Sequence, residues 1–417
     1  MLRYMLRQIL LATLLLAFQF IAESSEAHGS EGSKMRGQTK GSAFATLSAT
    51  QATEDKTLTG LDVSKRQWTR RAGAGSIQDE RSPLHHWHWL TDQEPYDAGW
   101  ALYIDNDLFT LRKRDQDYTG GLSVTLAGRR AIEYGISLDP VRAAITEQLG
   151  ILPKPSSALT ELHGIEAGFT IFTPKSIDQP DKQLGDRPFA SLLYLANTQE
   201  LIDSANDTAW VSTFTLGVLG ADWVNSIQTE LHAALGSDRP SGWDQQISDG
   251  GELTFKYSIG KQQLIAYHYG EQNFELSSTS QLSVGYLTEA TFGLAGRYGS
   301  FQTPWYSFRP QFNDYSEKST SLAGLAEHRS EVYVWGGFSA HLRGYNVFLQ
   351  GQFKDSPVTF SSNELNRLVW DAWVGITHQS ESGWRFSYLL RGQSSEVKRG
   401  PADRSVLWGG MIISASY

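Results

Sequence analysis

The sequence predicts an all-β chain: a transmembrane antiparallel β-barrel of about twelve strands, with a short helix in one outer loop. Three observations carry this reading. An export signal opens the chain, the body alternates apolar with polar residues in runs that end on aromatics, and no later stretch stays apolar long enough for a membrane helix. Composition agrees. Of 417 residues, 39 are Gly, 17 Tyr, 13 Trp and 19 Phe, while 19% are charged and 40% hydrophobic, with a mean hydropathy of −0.34. A polytopic helical protein would be more apolar, whereas barrel strands need only one apolar face. The net charge of −9 argues against a nucleic-acid binder. The absence of cysteine excludes a disulfide scaffold, a cysteine-ligated zinc, an iron–sulfur cluster and a thiol nucleophile.

In chain order, residues 1–27 read as a secretory signal peptide. Arg3 and Arg7 precede an apolar run from Ile9 to Phe18, and Ser25-Glu26-Ala27 places small residues at a cleavage site. Residues 28–95 form a polar leader without apolar periodicity, unable to bury enough surface to offset chain entropy. Its end, His85-His86-Trp87-His88-Trp89, holds three imidazoles that suit a transition metal, but a packing or interfacial segment explains it better.

From residue 96 to 417 the chain reads as the barrel domain. Strands are expected at 99–109, 119–130, 162–172, 189–200, 208–219, 251–260, 262–276, 280–298, 331–352, 367–378, 384–392 and 405–417. Leu122-Ser123-Val124-Thr125-Leu126-Ala127 shows the alternation. The last run, Met411-Ile412-Ile413-Ser414-Ala415-Ser416-Tyr417, ends on an aromatic and resembles the signal that outer-membrane barrels present to the barrel-assembly machinery. In lipid only closure pairs every strand's backbone groups, which favours a barrel over a sandwich.

An even strand count puts both termini on the periplasmic side. The outer connections are then 110–118, 173–188, 220–250, 277–279, 353–366 and 393–404. Two inner connections, 131–161 and 299–330, are unusually long for periplasmic turns. Residues capable of chemistry gather in the outer set. Asp105-Asn106-Asp107 offers carboxylate and amide oxygens to a hard cation such as Ca²⁺. Arg114-Asp115-Gln116-Asp117-Tyr118-Thr119-Gly120-Gly121 leads into the second strand. Asp186 beside Arg187 reads as a loop-ordering ion pair. Residues 221–235 have helical period: Val224, Ile227, Leu231 and Leu235 share one face, Asn225, Gln228 and His232 another. Gly236 ends that helix and Asp238 follows. A histidine on this rim can serve as general base toward water, and a cation beside it can stabilise an oxyanion on an ester carbonyl. No G-x-S-x-G elbow, P-loop or dinucleotide fingerprint is present.

From Asp97 to Tyr417 the chain resembles the LpxR-type lipid A deacylases of Gram-negative outer membranes. The resemblance rests on Asn106-Asp107 with Phe109, on Arg114 to Gly121, on Ile171-Phe172-Thr173-Pro174, and on Asp186-Arg187-Pro188-Phe189-Ala190. Gln228-Thr229-Glu230-Leu231-His232 and Gly242-Trp243-Asp244-Gln245-Gln246 complete it. It implies a monomeric outer-membrane enzyme, its site facing outside, that removes the 3′-linked acyl group of lipid A with Ca²⁺. By that resemblance His232 activates water, Asn106, Asp107 and Thr119 are required at the site, Gln228 positions substrate or oxyanion, and Asp107 and Asp238 hold the cation. Asp238 stands where the family can have a glutamate. Lys175 and Lys182 lie in a loop where the family can place a lysine, neither in clear register. Two other functions fit the sequence: a passive porin or structural barrel, and a Ca²⁺-dependent phospholipase.

Overall fold

Twelve antiparallel strands form one closed barrel, each paired with its chain neighbours and the last returning to the first. They are β1 (Gly99–Asn106), β2 (Asp117–Ala127), β3 (Thr160–Thr173), β4 (Ala190–Asp203), β5 (Thr208–Leu219), β6 (Glu252–His268), β7 (Asn273–Gly285), β8 (Leu287–Ser300), β9 (Glu331–Asn346), β10 (Leu368–Gln379), β11 (Trp384–Gln393) and β12 (Val406–Ser416). The structure is a computed structural model and describes residues 94–110, 117–156, 158–179, 181, 183–220, 240–248, 251–318, 329–353 and 356–416. The expected signal peptide, nearly all of the leader with His85–Trp89, the helix at 221–235 with Gln228 and His232, and Asp238 lie outside the described residues, as do Arg114, Asp115, Gln116 and Lys182. Among the described residues no helix is long and apolar enough to cross a membrane.

The strand count and order match the alternation pattern, but three boundaries move. The expected break at 261 lies inside β6, because Gly260 is no strand end: a Cβ there would stand 2.5 Å from Phe312 Cε1. The glycine makes room for a ring that enters from the lumen. The β7–β8 turn falls at Gly285-Tyr286 rather than 277–279, since Gly285 adopts φ +135° and a Cβ there would meet Phe255 O at 2.0 Å. The run 331–352 stops at Asn346, whose side chain accepts a hydrogen bond from Phe348 N and caps α3 (Val347–Gln350). The apolar residues continue through that cap, so periodicity alone does not reveal the change.

The barrel is inside-out relative to a soluble one. Leu282, Val284, Leu342 and Val374 are 58–63% exposed on its outer wall, while Lys256, Thr279, Ser339 and Gln379 are at most 2% exposed inside. That inversion is what a bilayer selects, because the wall contacts lipid and only the lumen can hold polar groups. In the lumen His341 offers Nδ1 to Glu289 at 3.0 Å and Nε2 to Asp371 at 3.2 Å. Arg343 Nε donates to Glu289 at 2.7 Å and Arg391 Nε to Asp371 at 2.6 Å. Each charge of this cluster therefore meets its opposite.

The barrel has one end where β1 passes to β2, here the site end, and another where β1 begins and β12 stops, the terminal end. The two long connections expected on the inner side both leave the terminal end, and they do different things. The β8–β9 connection turns into the lumen. Residues 301–318 pack Trp305 and Tyr306 against Leu162 and Ile202, seat Phe312 over Gly260, and bring Tyr315 against Phe172 and Phe348 near the site end. Lys256 of β6 pairs with Asp314 and, at 3.2 Å, with Glu317 of this segment.

The β2–β3 connection instead lies on the outer wall. It carries α1 (Arg130–Glu133) and α2 (Asp139–Leu149), the latter closed by Gly150 at φ +61°. Arg142, 2% exposed, donates to Gln199 Oε1 at 2.7 Å and Ser212 Oγ at 2.8 Å, and Leu138 N donates to Asn197 Oδ1 at 2.8 Å. These partners alternate with lumen-facing neighbours such as Thr198 and Thr213, whose hydroxyls meet at 2.9 Å. Here the wall is polar, and α2 covers it in place of lipid.

Replacing Lys256 by Met removes one charge of a buried cluster and leaves Asp314 and Glu317 unmatched. The expected loss is about 3–5 kcal/mol, measured by urea unfolding of the refolded barrel in lipid vesicles.

Candidate functional site

Alternation along β1 divides the Asp105-Asn106-Asp107 triplet. Asp105 points into the lumen, where its Oδ2 accepts from Tyr118 OH at 2.7 Å and from Lys318 Nζ at 2.6 Å. Asn106 lies on the opposite face, and Asp107, 3% exposed, opens a 3-10 turn, Asp107–Thr110. Thr110 Oγ1 donates back to Asp107 O at 2.7 Å. The three residues thus form no single oxygen cage: Asp105 serves the lumen, and Asn106 and Asp107 stand at the corner where β1 turns toward β2.

The Tyr-Thr-Gly-Gly run of β2 is built around this corner. Asn106 pairs in register with Gly120. A Cβ on Gly120 would stand 2.6 Å from Asp105 O and 3.2 Å from Asn106 Nδ2, and one on Gly121 would stand 2.8 Å from Tyr118 OH. Both glycines are therefore spaces used by neighbours. Thr119, 6% exposed, occupies a bulge between Tyr118 and Gly120. Its hydroxyl meets that of Thr173 at 2.6 Å, while Tyr118 turns inward onto Phe172, ring centroids 5.4 Å apart. Asp117, just before, adopts φ +71°, a left-handed conformation that costs a non-glycine residue about 1 kcal/mol.

Loops from two other connections pack together beside the corner. Phe189 of the β3–β4 loop and Trp243 of the β5–β6 loop pack with Ile171 and Ile177, the two rings 5.2 Å apart. A Cβ on Gly242 would meet Phe189 Cε2 at 2.4 Å, which accounts for Gly242-Trp243 as a unit. Gly220 N donates to Ser191 O at 2.7 Å and Ser241 N to Ile177 O at 2.8 Å. Gly220 and Ser241 are thus both tied to the β3–β4 side of the site end.

The expected Asp186–Arg187 pair forms differently. Asp186 accepts from the Arg187 backbone N at 2.8 Å, from Lys175 N at 3.0 Å and, through its carboxylate, from Arg404 Nη1 at 2.6 Å. Arg404 also holds Asp117, with Nη2 2.7 Å from Oδ1. The Arg187 guanidinium goes instead to Glu396, which Arg343 also engages. Loop ordering is therefore real, but it runs across the β3–β4 and β11–β12 loops. Burial disfavours the charge on Arg187, yet Glu396 beside it lifts its pKa above the ordinary value. Burial likewise disfavours the Glu396 carboxylate, but Arg187 and Arg343 hold its pKa below the ordinary value.

The sequence reading does not find Lys318, Glu396 or Arg404. Each lies far along the chain from its partner. The signal available for Lys318 is the density of Trp305, Tyr306, Phe308, Phe312 and Tyr315 in what reads as a loop. The described donors at the corner are oxygens and an amide, which suit a hard cation rather than a thiophilic one. Among the described residues no three His, Asp or Glu converge to hold a metal.

A closed barrel with an apolar wall, a charged lumen and its candidate site at one end defines an outer-membrane β-barrel. Residues 84–417 match the family described as outer membrane protein LpxR, and the chain belongs to that family. The matched span begins upstream of Asp97 and takes in His85–Trp89. The fold is similar to that of LpxR from Salmonella typhimurium, at 17% identity, covering 76% of this chain and 100% of that one with TM-score 0.59. The β domain of the Bordetella autotransporter BrkA is more distant, at 10% identity over 77% of this chain and 100% of that one, TM-score 0.38. No curated protein sequence matches the chain.

Glutamine at 396 imitates the protonated carboxyl, which gives the ion network a pH signature. A carboxylate with a lowered folded pKa stabilises above its unfolded value, near 4.5, and that contribution fades as pH falls through the folded value. Glu396→Gln is therefore less stable than wild type at neutral pH, and the two converge in acid. Unfolding in vesicles at pH steps from neutral down to about 3 checks this; a gap that stays constant with pH refutes it.

Proposed function

We propose that this barrel is a lipid A deacylase that hydrolyses the 3′-linked acyl ester from the outer leaflet, using a histidine-activated water and Ca²⁺. The observation that carries the reading is the corner itself: Asn106 set over Gly120, Asp107 opening the next turn, and Thr119 in the adjoining bulge, in a chain of this family. In this reading Gln228, His232 and Asp238 of the β5–β6 connection supply the remaining groups.

His232 serves as general base. It takes a proton from water as the water oxygen bonds to the acyl carbon. When the tetrahedral centre collapses, the ester C–O bond breaks, the sugar oxygen leaves with the proton, and a fatty acid is released. Asn106, Thr119 and Gln228 position the ester and its developing oxyanion. Asp107 and Asp238 would hold the cation, which supplies polarisation of the ester carbonyl and charge stabilisation at the oxyanion. The Thr119–Thr173 hydrogen bond holds the Thr119 hydroxyl oxygen in place. Residues 301–318 occupy the lumen, which supports a site on the wall over a passive pore.

The test is mass spectrometry of lipid A from cells that carry the protein. Wild type is expected to remove the 3′ acyl chains. Asp107→Asn and His232→Ala should each lower the rate by about a hundredfold or more, and chelation of divalent cations should do the same. Unchanged lipid A alongside folded barrel sinks the proposal. Fatty acid released from glycerophospholipid instead identifies a phospholipase.

A further inference from the structure

We propose that a trough on the outer wall, across β9 to β12, binds one long saturated acyl chain of the substrate and sets the chain length accepted. The inference rests on the deacylase reading. One row of the wall runs Phe338, Ala372, Gly392 and Leu407, each residue in register with the next across four neighbouring strands. The row is large, small, small, large. Its floor is thus two strands wide, about 10 Å at the usual strand spacing. Trp370, 49% exposed, stands at the site end of the trough. The cavity here has a volume of about 530 Å³ and continues to Asp107 and Thr110, within the roughly 300–1,000 Å³ of small-molecule sites.

Two glycines of this wall make the point sharper. Gly409 is a space that the protein fills itself, because a Cβ there would stand 2.5 Å from Phe109 Cβ. Tyr388 OH donates to Phe109 O at 2.6 Å and keeps that turn on the wall. Gly392 is not filled: a Cβ there meets Leu407 Cδ1 at 3.5 Å, an ordinary contact. Neither φ nor crowding requires glycine at 392, and its emptiness leaves the trough floor open. The surroundings identify the occupant. The wall faces hydrocarbon, where the groups at hand are acyl chains, and the trough's polar end is the corner that holds Asp107. A chain lying in it presents its ester to that corner.

The experiment compares wild type with Ala372→Trp and Gly392→Phe, which fill the floor from positions that face lipid, and with Leu282→Trp on another part of the wall as control. Each is refolded in vesicles and given lipid A carrying hexadecanoyl or butanoyl 3′ esters. Filling the trough should lower the long-to-short ratio of kcat/KM about tenfold or more, and the control should leave it alone. An unchanged ratio in an active enzyme overturns the trough while leaving deacylation intact. If wild type cleaves neither substrate, the deacylase reading fails, and labelling decides the trough separately. A lipid A with a diazirine in its acyl chain should then crosslink to peptides around Gly392 and Leu407 in preference to those around Leu282 and Val284, and Ala372→Trp should abolish the preference. Uniform labelling of the wall overturns the proposal.

Discussion

A strand surrounded by hydrocarbon has no water to satisfy its N–H and C=O groups, and each one left unpaired costs several kcal/mol. The pairing of β12 with β1, from Gly99 opposite Ser416 to Asn106 opposite Gly409, removes the two edges that would carry that cost. The remaining features follow. Closure creates a lumen, the lumen becomes the place where charge can be buried, and the wall must be apolar wherever lipid touches it. The position of Asn106 at the site end of this seam also puts the candidate site on the strand that closes the barrel.

The two long connections at the terminal end show how the same constraint is met from both sides. Inside, residues 301–318 bring carboxylates and a lysine to partners on the strands, so the polar lumen is satisfied by protein as well as by neighbouring strands. Outside, α2 lies where β4 and β5 expose Gln199 and Ser212, and Arg142 answers them. Lys318 links the lumen to the site: it binds Asp105, the residue directly before Asn106, and Tyr118, the residue directly before Thr119. The wall face and the lumen face of this corner are thus held by adjacent residues of the same two strands.

Much of the fold was legible because strand period is a local property. Alternation in Leu122 to Ala127 and the apolar run from Met411 to Ala415 need no knowledge of distant residues. The corner proposed as the site was legible in part. Asn106, Asp107 and Thr119 stand in short motifs, and the structure shows what the glycines beside them are for. What escaped the sequence was long-range or depended on shape. Gly260 reads as a strand end until Phe312 is seen beside it, and Asp186 reads as the partner of Arg187 until Arg404 and Glu396 take one each.

The sequence by itself determined an exported β-rich chain with about twelve alternating runs, no thiol chemistry, and a set of histidine, carboxylate, amide and hydroxyl groups in connections of one parity. Those properties belong to residue type and spacing. Tertiary structure alone decided that Asp105 and not Asn106 faces the lumen, that one long connection fills the lumen while the other lies against the wall, and that Phe338, Ala372, Gly392 and Leu407 form one row. The physical reason is register. Which residues of neighbouring strands stand side by side is set by hydrogen bonds between segments far apart in the chain, and a shift of one residue exchanges every inward side chain for an outward one.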